Sequence, residues 1–296
     1  MKVPYNESYI DSQESRDWYS TYFNTTPDSC ESFNYESTSV NDTDIYIPSF
    51  NNSFFIEYQI KTLRLFFDTP YNLIIVDNNN QLYPTASVEL LEICKRENVT
   101  YLKAPDNYHQ TTPNFDSSMK LGTTLSWIFH NCVKVRKPKY FGILDHDCFL
   151  IEKYDITEYL DKMGMYGRVC KSPHSDAWNL HVTNNFYKFD FVKDYPLDFR
   201  ASHKYQLDTN GANYEHLFNK FNHEDYMISI IGHRYNDVDV NRKDSVQHFE
   251  FIDSKWYHVC ASTHDQLVGD GIYKLAYTRG FLDSRITAEN KNTIKI

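Results

Sequence analysis

Leu73-Ile74-Ile75-Val76-Asp77-Asn78-Asn79-Asn80 sets four apolar residues, three of them β-branched, against an acid and three amides. Such a run predicts a strand buried on both faces and ended by a polar turn. Working outward, Phe54 to Phe67 carries Ile56, Ile60, Leu63 and Phe67 on one face at the 3.6-residue period. That spacing predicts a helix, capped by Ser53 and ended by Asp68-Thr69-Pro70. Ile45-Tyr46-Ile47 predicts a short strand stopped by Pro48. Downstream, residues 86–97 read as a helix (Leu90, Leu91, Cys94) and Val99 to Leu102 as a strand. Residues 117–135 read as a third helix, with Leu121, Leu125, Ile128, Phe129 and Cys132 inward, and Tyr140 to Leu144 as a fourth strand. Strand–helix alternation over a hundred residues predicts an α/β domain with a mostly parallel central sheet and helices on both faces.

Beyond residue 150 the periodicity weakens. Residues 155–163 read as helical, 180–192 as a strand, 213–231 as helical again, and Phe249 to Ile252 and Lys255 to Cys260 as late strands. Residues 1–44, rich in Ser, Thr, Asn, Asp and Tyr, read as a polar arm, either loosely ordered or draped over the domain by Trp18, Tyr19, Tyr22 and Phe23. The expected organisation is therefore this arm, one domain over 45–275 with halves at 45–152 and 153–275, and a C-terminal tail at 276–296.

The 296 residues, 41% hydrophobic and 24% charged, have the composition of an ordinary globular chain. A net charge of -10 excludes a general nucleic-acid binder, which needs a basic surface to release counterions. A small phosphorylated ligand stays compatible with that charge, because a divalent cation can neutralise a diphosphate. No stretch reaches the roughly 18 apolar residues of a membrane span, and Met1 to Asp11 has no apolar signal core. The six cysteines, at 30, 94, 132, 148, 170 and 260, form no CxxC pair. A cytoplasmic protein with reduced thiols is expected.

In open α/β sheets ligands sit at the carboxyl ends of the strands. The sharpest such place is Tyr140-Phe-Gly-Ile-Leu-Asp145-His146-Asp147-Cys-Phe-Leu-Ile151, where two carboxylates interrupt an apolar run. Unpaired charges there would cost on the order of several kcal/mol. A cation removes that cost, and on an extended chain Asp145 and Asp147 would project to the same side. Mg2+ or Mn2+ takes one or two carboxylates plus substrate phosphate oxygens. Two other Asp-x-Asp runs, Asp42-Thr43-Asp44 and Asp237-Val238-Asp239, lack the strand-end context and read as solvated turns.

The order Ile47-Pro48-Ser49-Phe50-Asn51, Ile75-Val76-Asp77-Asn78-Asn79, Gly122 on a helix, then Leu144-Asp145-His146-Asp147 resembles the nucleotide-binding half of GT-A glycosyltransferases, especially family 2-like enzymes. The resemblance covers roughly residues 45–265 and is clear to about residue 152. It makes 45–152 the nucleotide-binding half and 153–275 the acceptor half. It implies that Pro48 and Phe50 border base and ribose, and that Asp77 bonds uracil or another base. It also implies that Asp145 touches ribose or sugar and that Asp147 ligates the metal; Asp145 is a further candidate for the metal and His146 for the donor. Trp256-Tyr257-His258-Val259 resembles the segment that supplies a further histidine ligand, and imidazole suits Mn2+ better than Mg2+. Leu207-Asp208-Thr209-Asn210-Gly211 resembles an LDTGG segment with Asn210 in place of its first glycine, which makes Asp208 the candidate base. Asp225, in His223-Glu224-Asp225, competes for that role, and Trp178 is a candidate to stack on an acceptor sugar. The implied reaction moves sugar from a nucleotide-sugar donor, a UDP-sugar for preference, to an acceptor hydroxyl on a glycan or other molecule, metal-dependent and inverting. Two rivals are a sugar nucleotidyltransferase and a non-catalytic GT-A-like carbohydrate binder. Against the first, the Pro48-Ser49-Phe50-Asn51-Asn52 loop has neither the glycines nor the basic residue that cradle a triphosphate.

Overall fold

A computed structural model describes residues 19–35, 41–79, 84–106, 117–234, 248–260 and 271–293. Asp237 and Asp239 lie outside the described residues, as does Trp18 of the arm. The central sheet has seven strands: β1 (Ser32–Phe33), β2 (Thr43–Ser49), β3 (Asn72–Asp77), β4 (Thr100–Lys103), β5 (Tyr140–Leu144), β7 (Met165–Lys171) and β8 (Trp178–Lys188). Their order is β1-β4-β3-β2-β5-β8-β7. The core β4-β3-β2-β5 is parallel, while β1 and β8 run against their neighbours. The antiparallel β7–β8 pairing turns β7 back to the core direction, so the sheet is mostly parallel, as expected.

Alternation along β2 decides what covers each face. Ile45 and Ile47 join Ile75 under α1 (Ser53–Phe66) and α2 (Pro84–Arg96), while Tyr46 joins Ile74 and Val76 under α3 (Ser117–Ile128). The helix α3 passes into a π-helical stretch, Phe129–Val133, and ends at Lys137, which adopts φ 50°. Asn52, not Ser53, caps α1: its side chain accepts a hydrogen bond from the Phe55 amide at 3.4 Å.

Pro48 does not stop β2, which pairs with β3 as far as Ser49↔Asp77. The ladder to β5 ends at Tyr46↔Ile143, and Ser49 uses its carbonyl on the β3 side. Neighbouring residues of a parallel strand bond to opposite sides, so the missing amide of Pro48 faces the side where the ladder has already ended.

A second, antiparallel sheet follows the order β6-β11-β10-β9, from β6 (Cys148–Leu150), β9 (Ile230–Arg234), β10 (His248–Ile252) and β11 (Trp256–His258). The chain crosses from the large sheet to the small one through residues 145–147. The expected helix over 213–231 is instead three 3-10 turns, Gly211–Tyr214, Phe218–Lys220 and His223–Tyr226, leading into β9. The expected strand over 180–192 ends at Lys188 and becomes a short helix, Phe189–Val192. Two helices, α4 (Thr157–Met163) and the short α5 (Phe189–Val192), precede a long one, α6 (Gly271–Thr293), and the expected boundary at 275/276 falls inside α6. Leu282 of α6 is buried with Phe55, Tyr58, Phe149 and Tyr257, and Asp283 accepts a hydrogen bond from Tyr58 at 3.0 Å. Among the described residues no helix is long and apolar enough to cross a membrane.

Candidate active site

Residues 145–148 form a turn, which corrects the extended geometry expected for the two aspartates. The Cys148 amide donates to the Asp145 carbonyl at 3.1 Å. Three elements pin that turn. Gln59 of α1 donates to the carbonyls of Asp145 (2.6 Å) and Cys148 (2.9 Å). The Asp145 amide donates to the Thr183 carbonyl of β8 at 3.1 Å, and the Val259 amide, just past β11, donates to the Asp147 carbonyl at 3.0 Å.

This places His258 against the turn. Its Nε2 lies 3.5 Å from Asp147 Oδ1, and its Nδ1 lies 3.3 Å from Glu250 Oε2. His146 Nδ1 lies 3.5 Å from Asp145 Oδ1. Burial and the neighbouring Asp147 carboxylate raise the Asp145 pKa, while His146, His258 and His181 work against that rise. Burial disfavours a charged His258, but Asp147 and Cys260 together outweigh it and hold the imidazole pKa well above its ordinary value. Asp147 and His258 approach within 3.5 Å, and a carboxylate beside an imidazole is a donor pair whose chemistry suits Mn2+, with Asp145 two residues away on the same turn. The like-charge crowding at Asp145 is what a cation would relieve.

Sequence reasoning missed three further residues. Glu250 and His258 are cross-strand partners, as are Arg168 and His181. Arg168 donates to Glu250 Oε1 at 3.0 Å, and His181 Nε2 lies 3.5 Å from Asp208 Oδ2. A charge between Phe249 and Phe251 is the kind of interruption that marks Asp145, so Glu250 had a signal in the sequence. His181 and Arg168 had none.

Asp208 is half-exposed beside His181. Burial would raise its pKa, but the hydrogen bond and charge of His181 prevail and hold the carboxyl well below its usual range. The departure at Asn210 has a backbone explanation. Asn210 takes the left-handed conformation (φ 78°) that glycine takes without cost and asparagine tolerates. Its side-chain Nδ2 donates to Leu180 O (2.6 Å) and Tyr187 Oη (2.9 Å). Gly211 cannot be replaced in the same way, since a Cβ there would sit 2.5 Å from Leu207 Cβ. Asp225 is exposed on the His223–Tyr226 turn.

The other expected residues are placed as follows. Pro48 is buried in β2, and Phe50 is half-buried just after it. Asp77 is buried at the end of β3. Its oxygens accept from the Asn79 amide (2.8 Å) and the Tyr101 hydroxyl (2.8 Å), and Lys103 Nζ lies at 3.2 Å. Trp178 belongs to the core: it packs on Phe218 and Tyr226, with ring centroids 5.0 and 5.8 Å away. Asp44 is no solvated turn. It is fully buried, accepts from Arg136 Nε at 2.8 Å and receives the amide of Asn72 at 2.8 Å.

No protein-family model and no curated protein matches the chain. Among solved structures it is similar in part to a mannosyltransferase from Pyrobaculum calidifontis in complex with GDP-Man and Mn2+ (14% identity, 60% of this chain and 51% of that chain, TM-score 0.34). It is also similar in part to TarS of S. aureus (13% identity, 55% and 32%, TM-score 0.37). A third is the bifunctional glycosyltransferase WbbM without ligand (9% identity, 54% and 34%, TM-score 0.35). The chain thus spans between about a third and a half of the length of these structures.

Proposed function

We propose that this chain is a GT-A-type glycosyltransferase that moves a sugar from a nucleotide-sugar donor, a UDP-sugar for preference, to an acceptor hydroxyl. The observation that carries the reading is the placement of the Asp145–Asp147 turn. It lies at the carboxyl end of a central strand, where α/β sheets bind ligands, with His258 held against it by a second sheet. Asp145, Asp147 and His258 would hold Mn2+ or Mg2+. When bound, such an ion supplies charge stabilisation to the departing nucleoside diphosphate.

The protein's own groups do the rest. Gln59, Thr183 and Val259 fix the turn before any ligand arrives, which limits the reorganisation needed on binding. Pro48 and Phe50 border the donor's base and ribose, at the end of the neighbouring strand. Asp208, ionised at neutral pH and held by His181, accepts the proton of the acceptor hydroxyl. Attack from the side opposite the leaving group inverts the anomeric centre.

A thermal-shift screen of nucleotide sugars with Mn2+ tests this reading. A donor at a hundredfold its dissociation constant adds about 2.7 kcal/mol of stability. The shift should require both donor and metal and should vanish in Asp147→Ala. Stabilisation that survives in that variant would remove the proposed site.

A further inference from the structure

The imidazole of His258 faces two donor sets. Its Nε2 looks toward Asp147, and its Nδ1 lies 3.3 Å from Glu250 Oε2 and 3.3 Å from Cys260 Sγ. The ligand atoms of Glu250, His258 and Cys260 all lie within 4.8 Å of one another. A tetrahedral ion with bonds of roughly 2.0–2.3 Å spaces its ligands about 3.3–3.8 Å apart, so the two Nδ1 distances already fit. The thiol is free, and Cys260 is only partly buried, which leaves a way in. Arg168 holds the other carboxylate oxygen of Glu250. The buried Lys274 donates to the Cys260 carbonyl, fixing a residue held at φ 58°.

We propose that Glu250, His258 Nδ1 and Cys260 form a second metal site, selective for a thiophilic ion such as Zn2+, and that loading it switches off the Asp145–Asp147 site. Softness separates the two sites. A thiolate, an imidazole and one carboxylate favour Zn2+, whereas carboxylates with phosphate oxygens favour Mn2+ or Mg2+. Binding displaces two protons to solvent, one from the thiol and one from Nδ1 of the imidazolium, and the charges of Zn2+, thiolate and carboxylate then cancel.

The two sites exclude each other through one proton. A neutral imidazole has one lone pair and one N–H. With Nε2 ligating at the turn, Nδ1 carries the hydrogen and donates it to Glu250, as metal-bound histidines commonly do. With Nδ1 ligating Zn2+, Nε2 carries the hydrogen toward Asp147, and the turn loses its imidazole ligand. The existence of the second site does not rest on the proposed sugar transfer; its effect on Mn2+ does.

Co2+ titrated into the metal-free full-length protein tests the site, because a cobalt–thiolate bond has its own charge-transfer absorption. The wild type should show that band, and Zn2+ should abolish it. Cys260→Ser should lack the band while keeping its circular dichroism. Should Cys260→Ser fail to fold, Glu250→Gln should keep the band and weaken Co2+ by roughly tenfold or more. A wild type without the band, or a Cys260→Ser protein that retains it, overturns the site. Mn2+ binding followed by electron paramagnetic resonance tests the switch. Zn2+ should weaken Mn2+ at least about tenfold in the wild type and leave it unchanged in Cys260→Ser. A cobalt–thiolate band in a protein that binds no donor with Mn2+ would keep the second site and sink the transferase reading instead.

Discussion

The two ends of one parallel sheet treat buried acid in opposite ways. At the amino end of β2, Asp44 is locked by Arg136, Asn72 and Tyr46, partners whose charge or hydrogen bonds do not change near neutral pH. At the carboxyl end of β5, Asp145 and Asp147 face the histidines His146 and His258 at 3.5 Å each. An arginine settles a carboxylate permanently, whereas a histidine can give up its proton and turn its lone pair to a cation. The first arrangement serves folding. The second is poised for a ligand that arrives later.

The comparison breaks most clearly at Asp147. Asp147→Ala should reduce metal-dependent transfer by roughly a hundredfold or more, while the fold is retained by circular dichroism. An unfolded variant would show the turn to be structural after all, like Asp44. Next in size is Asp208→Asn. With the acceptor base removed, kcat should fall by about 10²–10⁴ while donor binding by calorimetry stays put. An unchanged kcat would take the base role from Asp208.

The opposite end predicts the opposite phenotype. Asp44→Ala leaves Arg136 buried without its partner and should cost about 3–5 kcal/mol in denaturant unfolding, with Mn2+ affinity unaltered. A stable Asp44→Ala protein would erase the contrast. A smaller effect sharpens it at Asn210. Ala there adopts φ 78° poorly and loses the bonds to Leu180 and Tyr187, for a loss of about 2 kcal/mol. Asn210→Gly keeps the backbone and should lose less than Ala.

The smallest effect is the pH response of Asp198. Burial would raise its pKa, but the facing Arg200 guanidinium depresses it. A depressed folded value means stability that is present above the unfolded carboxyl pKa of about 3.9 and lost as pH falls through the folded one. Acid unfolding of the wild type should therefore steepen below about pH 4, and Asp198→Asn should flatten it. Equal slopes would mean that the pair contributes nothing.

Much of this was legible in the residues alone. Ile45-Tyr46-Ile47, the stripe of α1 and the polar ends of β3 and β5 are patterns written in adjacent positions, so the α/β class and the acidic end of β5 could be read directly, but not the turn that Asp145 and Asp147 make. The irregular half was not legible in this way. The loop from Leu207 to Gly211 is held by Asn210 and by Asn179, which donates to Thr209 O at 2.9 Å, and single side-chain bonds of this kind leave no period. Nor could composition tell Asp44 from Asp145, since each is an acid beside a strand.

The sequence by itself determined the order of strands and helices as far as Leu144, which of their faces are apolar, and that two acids follow a buried strand. Only the tertiary structure decided that Arg136 reaches Asp44, that Trp178 is core, and that His258 meets Asp147 on one side and Glu250 on the other. The reason is physical: periodicity is a local property of neighbouring residues. Contacts across strands depend on register between segments far apart in the chain, and packing of the whole core sets that register.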